Sequence, residues 1–151
     1  TILWHRQDPI GICIFSAPAA SLSLRSQFFG LKSPRRAVSL AALNQQLWLL
    51  QRVVLHPTYR GAGIAAAFVR KACSLCPVDW IETLSAMGQV NPFFERAGFR
   101  RVGVVSHHPQ GSGPQGAYAT AHRLSAETIH KSRFSQPVYY VRDNRQRASE
   151  A

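Results

Sequence analysis

One stretch, Leu47 to Cys76, constrains the fold more than any other; it reads LWLLQRVVLHPTYRGAGIAAAFVRKACSLC. The apolar run from Leu47 to Leu55 is long enough and branched enough to be a buried strand. His56-Pro57-Thr58 ends it, because proline cannot donate to a sheet ladder. Arg60-Gly61-Ala62-Gly63 then opens a segment in which Ile64, Phe68, Ala72 and Leu75 recur at helical spacing. The predicted order is strand, tight glycine loop, helix N-terminus. The first turn of a helix leaves amides unpaired, and the helix dipole adds partial positive charge there. Glycines let a bulky anion come close to the backbone. The stretch therefore predicts a phosphate-bearing ligand.

Three phosphate motifs compete for this loop. The Walker pattern fails, since no lysine follows the second glycine. The dinucleotide fingerprint finds Gly61 and Gly63 but has Ala66 in its third place, with Asp79 and Glu82 loosely in range for the ribose. The chain shows no series of βαβ units to support it. The third motif fits better: Arg60-Gly61-Ala62-Gly63-Ile64-Ala65 matches Arg/Gln-x-x-Gly-x-Gly/Ala, and so resembles the acyl-CoA pyrophosphate loop of GNAT-type N-acetyltransferases. Val53-Val54-Leu55-His56-Pro57-Thr58-Tyr59 looks like the strand end that precedes that loop. Asn91-Pro92-Phe93-Phe94-Glu95-Arg96-Ala97-Gly98-Phe99 is similar to the family's later helix and its Gly-Phe exit. The resemblance covers roughly residues 45 to 105. The pairing of His-Pro-x-Tyr-Arg-Gly with Asn-Pro-Phe-Phe-Glu also resembles GNAT domains found beside ABC-type ATPases, which makes such an ATPase a candidate partner.

The resemblance implies a fold and a chemistry. The fold is an α/β (α+β) one: a mixed, mostly antiparallel sheet flanked by helices, with a V-shaped opening for acyl-CoA. The chemistry is transfer of an acetyl group from acetyl-CoA, as co-substrate, directly to an amine. Amides of Gly61, Ala62, Gly63, Ile64 and Ala65 would hold the pyrophosphate, with Arg60 adding charge. The backbone of Val53, Val54 and Leu55 would pair with the pantetheine like an added strand. Family members often carry a tyrosine in the later helix as acid toward the CoA thiolate; here that position is Phe94, which has no proton to give. This departure keeps open a binding module of GNAT fold that holds CoA or nucleic acid with little turnover.

Candidate catalytic residues come from the strands. Trp80 to Ala86 reads as a strand with Trp80, Glu82, Leu84 and Ala86 on one face. Burial makes a carboxylate a better base, so Glu82 is the first candidate for taking the amine proton, directly or through a water. An ion pair with a neighbouring strand's arginine would make it a poorer base. Arg52 is the candidate partner, since Trp48, Leu50, Arg52, Val54 and His56 read as one face of a buried strand and a buried guanidinium needs a carboxylate or carbonyls. His56 is the second candidate base, imidazole being suited to proton transfer near neutrality; ending the strand is its competing role.

Bulk properties add bounds. A chain of 151 residues, 46% of them hydrophobic, fits one domain, assigned to residues 1–141, with 142–151 a polar tail. The chain starts at Thr1, so an N-terminal strand or helix is expected to be missing. No apolar run reaches membrane-spanning length and no signal peptide is visible. Three cysteines, an odd count, argue against a disulfide scaffold, and the expectation is a cytoplasmic protein without a membrane partner. Eighteen Lys and Arg face seven Asp and Glu, a net charge of +11. Such a surface attracts polyanions, so nucleic acid, including acetylation of a nucleic-acid-linked amine, stands beside the bland reading of solvated arginines.

The remaining segments carry less. Ile2–Arg6 and Ile10–Ser16 predict a hairpin turned at Gln7-Asp8-Pro9. Residues 16–36 read as a loop with one short helical turn, where Phe28 and Phe29 either line an acceptor site or pack in the core. Residues 37–44 predict a short helix. Cys73 and Cys76 form C-x-x-C at a helix end, without a second ligand pair for zinc, and read as helix-face packing; no metal set is proposed. Asn91 is expected to cap a helix that begins at Pro92 and exits through Gly98. A strand over 100–106, a His107-His108 pair, a Gly/Pro loop over 109–116, a helix over 119–131 and a last strand over 137–141 complete the chain.

Overall fold

The computed structural model describes residues 1–31, 36–105 and 136–145. The His107-His108 pair, the loop after it and the helix expected over 119–131 lie outside these residues. The chain runs β1 (Ile2–His5), β2 (Asp8–Ser16), α1 (Ser23–Phe28), α2 (Arg36–Gln45), β3 (Leu47–Leu55), α3 (Ile64–Ser74), β4 (Trp80–Ser85), α4 (Phe93–Arg96), β5 (Arg100–Val104) and β6 (Val138–Asp143). The six strands form one sheet in the order β1-β2-β3-β4-β6-β5. Only β3 and β4 run parallel; every other pair is antiparallel. This is the mixed, mostly antiparallel sheet flanked by helices that the sequence predicts.

The first hairpin turns one step earlier than expected. His5 pairs with Asp8, so the turn is Arg6-Gln7, and Asp8 and Pro9 belong to β2. Arg6 takes a positive φ of 57°, the left-handed state that a two-residue hairpin turn demands.

β3 is the apolar run Leu47–Leu55, as expected, but its faces do not alternate through its whole length. Ile14 pairs with Arg52 and Phe15 with Leu50, which leaves Gln51 as an extra residue on β3. Such a bulge resets which side chains point to which face. Trp48 and Leu50 therefore share a face with Val53 and Leu55, against α3, while Arg52 and Val54 point to the other side. The expectation of one face holding Trp48, Leu50, Arg52, Val54 and His56 is corrected by this bulge, and Arg52 is exposed instead of buried.

The main core lies between the sheet and α3 with α4. Phe68, Val69, Ala72 and Cys73 of α3 pack on Leu50, Leu55 and Ile81, each large side chain contributing about 1.5–3 kcal/mol when fully buried. Cys13, Cys73 and Cys76 are all buried, and none of them forms a disulfide. α4 is a single turn whose N-cap residue is Pro92, with no side-chain capping bond, so Asn91 does not cap it. Gly98 makes the left-handed exit at φ 89°. At the C-terminal end β6 continues to Asp143; Arg142 is 4% exposed and Asn144 1%. Asn144 donates to the carbonyls of Cys76 and Val78. The folded chain thus extends past residue 141, because these two polar side chains find carbonyl partners inside: Arg142 bonds the carbonyl of Ala97.

Candidate functional site

The glycine loop lies open at the end of β3. Pro57–Tyr59 forms a turn of 3-10 helix, Arg60 is extended, and Gly61 and Gly63 have φ of 83° and 76°. Both values lie where L side chains are strained. A Cβ placed on either glycine meets nothing within 4 Å, so neither is glycine for lack of packing room. Gly63 is the N-cap of α3 and supplies no side-chain capping bond. Among the described residues, the amides of Gly61, Ala62 and Gly63 have no acceptor, and the first turn of α3 adds its own unpaired amides. The Arg60 Nε bonds back to the carbonyl of Leu55 at 3.0 Å, which ties the loop to the strand end.

A cleft leads from this loop into the sheet. β3 and β4 pair at Leu47–Trp80, Trp48–Ile81 and Leu49–Glu82 and no further. Just above, the Thr83 hydroxyl donates to the carbonyl of Leu50 at 2.9 Å and closes the crotch. The Gln51 bulge bends β3 away at this point. From Gln51 to Leu55, β3 pairs with β2 on one edge only. The other edge of Val53, Val54 and Leu55 is an unpaired strand edge, the V-shaped opening expected from the sequence, able to take an extended chain by strand addition.

Glu82 stands at the closed end of the cleft, 2% exposed. Its partner is Arg25, not Arg52. Arg25 Nε reaches Glu82 Oε2 at 2.9 Å and Nη2 reaches Oε1 at 2.5 Å, a two-pronged pair. The Tyr139 hydroxyl donates to Oε2 at 2.7 Å. Arg25 Nη1 also donates to the carbonyl of Ala19 and to Asn44 Oδ1, and Asn44 donates to the carbonyl of Ala20. Burial works against the Arg25 charge, but the bond to Glu82 and its charge outweigh this and hold Arg25 above its ordinary value. Burial, then the charge of Glu82, pushes the Tyr139 phenol well above the usual tyrosine range. The network fastens the segment carrying α1 and α2 onto the sheet face opposite α3. Phe28 and Phe29 serve the same end: their rings meet Trp80 edge-on at centroid distances of 6.3 and 4.9 Å.

His56 is exposed at the loop end of β3, with its ring 6.1 Å from that of Tyr59. The Tyr59 hydroxyl in turn lies 2.7 Å from His5 Nδ1. The structure does not bring His56 together with Glu82: the two belong to opposite ends of the cleft. At the loop end of β2 and β3, a groove of about 410 Å³ is lined by Ile2, Pro9, Ile12, Val54, His56 and Arg60 together with Leu55 and Gly11 from the α3 side. Ile14, Arg52 and Leu84, on the sheet face opposite α3, are all exposed.

Sequence reasoning missed Arg25 and Tyr139. Both pair with Glu82 across 57 residues. Arg25 lies in a stretch without periodicity, and Tyr139 reads as an ordinary β-former. The cations of the described residues are spread over every part of the fold, among them Arg6, Arg36, Arg52, Arg60, Arg70, Lys71, Arg96, Arg100, Arg101 and Arg145, while Arg25 and Arg142 are consumed inside. Among the described residues, no helix is long and apolar enough to cross a membrane.

No protein-family model matches the sequence, and a search of curated proteins gives no match. Solved structures do match. Aminoglycoside acetyltransferase AAC(6')-Ib, crystallised with coenzyme A and kanamycin, aligns over 99% of this chain and 68% of its own, at 18% identity and a TM-score of 0.53. A second complex of that enzyme, with acetyl-CoA, aligns over 99% of this chain and 66% of its own, at 18% identity and TM-score 0.52. The GNAT-like decarboxylase GphF, with isobutyryl-CoA, aligns over 95% of this chain and 77% of its own, at 15% identity and TM-score 0.50. The chain spans about two thirds of the length of the acetyltransferase it matches. At these identities the likeness establishes the fold, which is the GNAT fold. These neighbours were crystallised with CoA derivatives and, for the aminoglycoside acetyltransferase, with kanamycin or paromomycin.

Proposed function

We propose that the chain moves an acyl group, acetyl in the first instance, from acyl-CoA directly to an amine. One observation carries this reading: the unpaired edge of β3 runs from the crotch at Leu50 straight to an uncapped helix N-terminus behind two open, left-handed glycines. A thioester and its diphosphate need those two features in that order. The amides of Gly61 to Ala65 hold the pyrophosphate, and Arg60 adds charge. Val53, Val54 and Leu55 pair with the pantetheine amides. The thioester then reaches the Gln51 bulge, where a β3 amide faces the carbonyl oxygen and stabilises the oxyanion. That the matched structures hold coenzyme A, acetyl-CoA and isobutyryl-CoA supports the choice of ligand.

The amine nitrogen attacks the thioester carbonyl carbon; the C–N bond forms, the C–S bond breaks, and the thiolate takes up a proton. A neutral amine is already nucleophilic, so positioning supplies most of the acceleration. Glu82, engaged on both oxygens, holds the closed end of the cleft in shape and acts as a positioning residue. His56 stands five residues from the bulge, about 16 Å along an extended strand, beside the diphosphate instead of the thioester. The amine proton therefore leaves to water. An alkyl thiolate, with a conjugate-acid pKa of about 8.5, departs without the phenol that Phe94 lacks.

GphF shows that this fold also hosts decarboxylation, so the reaction is tested separately from binding. Calorimetry with acetyl-CoA measures binding; appearance of free thiol, with and without an amine pool, measures transfer. Amine-dependent thiol release at a binding-competent loop supports the proposal. Binding of acetyl-CoA with thiol release that ignores added amine leaves a CoA-binding module and sinks the transferase.

A further inference from the structure

The face from which an amine must approach has a definite chemistry. Acyl-CoA enters from the side of α3, where the glycine loop is. The nucleophile must come from the opposite face, past Arg52 and Leu84, which flank the cleft there by strand alternation. That face is apolar. Ile2 pairs with Ile12, Ile12 with Val54, and Ile14 with Arg52, so three strands lay one apolar row beside the Arg52 guanidinium. Ile2 is 49% exposed, Ile14 39%, Val54 40% and Leu84 44%. The row continues into the 410 Å³ groove. Arg52 is exposed, and no carboxylate pairs with it among the described residues.

Among the described residues, the acids are few and lie elsewhere. Glu82 is consumed by Arg25. Asp143 is paired with Arg145, whose hydrogen bond holds its carboxyl below the usual range. Asp8 sits at the first hairpin turn, Asp79 precedes β4, and Glu95 lies on α4. The whole sequence has seven Asp and Glu against eighteen Lys and Arg. A polycationic acceptor needs several carboxylates around the amine it presents, and among the described residues this face offers a guanidinium in their place.

Resting on the acyl-transfer reading above, we infer that the acceptor is an amine on an apolar body bearing an anionic group, a carboxylate or a phosphate, that Arg52 receives. The apolar body lies along Ile12, Ile14, Val54 and Leu84. The anion pairs with Arg52, one residue from the bulge where the thioester arrives, and this aims the amine at the carbonyl carbon. The products are the N-acyl amine and free CoA thiol. Polycations such as aminoglycosides and polyamines would be repelled by Arg52 and rank as poor acceptors, although the fold is shared with an enzyme crystallised with kanamycin.

The test is a matched panel with acetyl-CoA: phenethylamine, L-phenylalanine and tyramine phosphate against spermidine and kanamycin, read as thiol release and corrected for the neutral amine fraction. Phenethylamine and phenylalanine differ by one carboxylate, and tyramine phosphate separates phosphate from carboxylate. The expected result is kcat/KM at least tenfold higher for one or both anionic amines than for phenethylamine, with spermidine and kanamycin lowest. Arg52→Glu should raise the KM of the anionic amine at least tenfold, leave the KM of acetyl-CoA within twofold, and narrow or reverse the ranking. Arg52→Lys should restore most of it. Kanamycin or spermidine as the best acceptor, a ranking that Arg52→Glu leaves intact, or acetyl-CoA bound with no panel amine turned over each overturns the inference. Failure to bind acetyl-CoA overturns the acyl-transfer reading itself.

Discussion

The two ends of the cleft between β3 and β4 are made of the same two strands and treat polar groups in opposite ways. At the closed end, Leu49 pairs with Glu82, and every oxygen of that carboxylate is matched by Arg25 or Tyr139. At the open end, β3 has a bare edge, the loop has unclaimed amides, and Arg52 faces solvent. Unmatched polar groups are tolerated there because water reaches them until a ligand does. The contrast separates the part of the site that holds shape from the part that holds substrate. An ion pair as buried as Arg25–Glu82 is weak evidence for stability, since its desolvation can equal its attraction. Its use is to fasten the segment from Ala19 to Asn44 at one place on the sheet.

Breaking the closed end gives the largest effect. Arg25→Ala leaves the Glu82 charge buried with no cation and only the Tyr139 hydroxyl as partner, which costs about 3–5 kcal/mol. For a domain of this size that lowers Tm by roughly 10 °C or more. Replacing both partners, as Arg25→Met with Glu82→Met, should recover most of the loss, because no charge remains stranded. Thermal unfolding of the three proteins decides it. A single Arg25→Ala variant within about 1 kcal/mol of the parent would show that the network is solvated and that the two ends are not distinct.

The open end should respond in the reverse manner. Gly63→Asn places a side chain that tolerates the left-handed state where the anion is to sit. Stability should fall by less than about 1 kcal/mol, since a Cβ at Gly63 meets nothing within 4 Å. The Kd for acetyl-CoA should rise at least tenfold, about 1.4 kcal/mol. Calorimetry and thermal unfolding on one sample separate the two quantities. Unchanged binding would mean that the loop amides hold no ligand.

How much of this was legible in the sequence follows the same division. The open end is built from local signals: an apolar run, a proline stop and two glycines before a helical period, all within Leu47–Ser74. Each has a local physical cause, so each could be read. The closed end depends on partners 57 residues apart, which no local pattern encodes. Arg52 was misplaced because period-two reading assumes an uninterrupted strand; one extra residue at Gln51 moved it from a buried face to an exposed one. Asn91 looked like a cap by residue type, yet the helix starts two residues later, at Phe93. Arg142 and Asn144 looked like tail by composition, and carbonyls of distant segments drew them inside.

A smaller effect lies in the core that backs both ends. Burial pushes the Cys13 thiol up to about 12 and the Cys76 thiol up to about 11, from 9.0. Both are thus held protonated in the folded chain beyond the pH at which the unfolded chain ionises them. Their contribution is whole below pH 9 and is lost as pH rises through 11 to 12. Stability should fall between pH 9 and 11, by on the order of 1 kcal/mol for each thiol at pH 10. Cys13→Ala with Cys76→Ala should flatten that slope while lowering stability at pH 7. An equal slope in the double variant would assign the alkaline loss to other groups.

The smallest effect concerns the residue that looked most damaging to catalysis. Phe94 is 5% exposed and packs on Phe93, Phe99 and Tyr140, at centroid distances of 4.0, 5.4 and 5.5 Å. It belongs to the helix-side core and not to the open edge of β3. A hydroxyl added there gains no thiolate to protonate and must find a partner in an aromatic cluster, which costs about 1–3 kcal/mol if it fails. Phe94→Tyr should therefore leave kcat within about threefold of the parent, less than 1 kcal/mol in the barrier, and lower Tm by a few degrees. A tenfold rise in kcat, with a new alkaline limb in the pH profile, would extend the open end of the cleft to α4. It would also mean that the thiolate leaves with help from that helix, and the division between a structural end and a chemical end would have to be redrawn around Phe94.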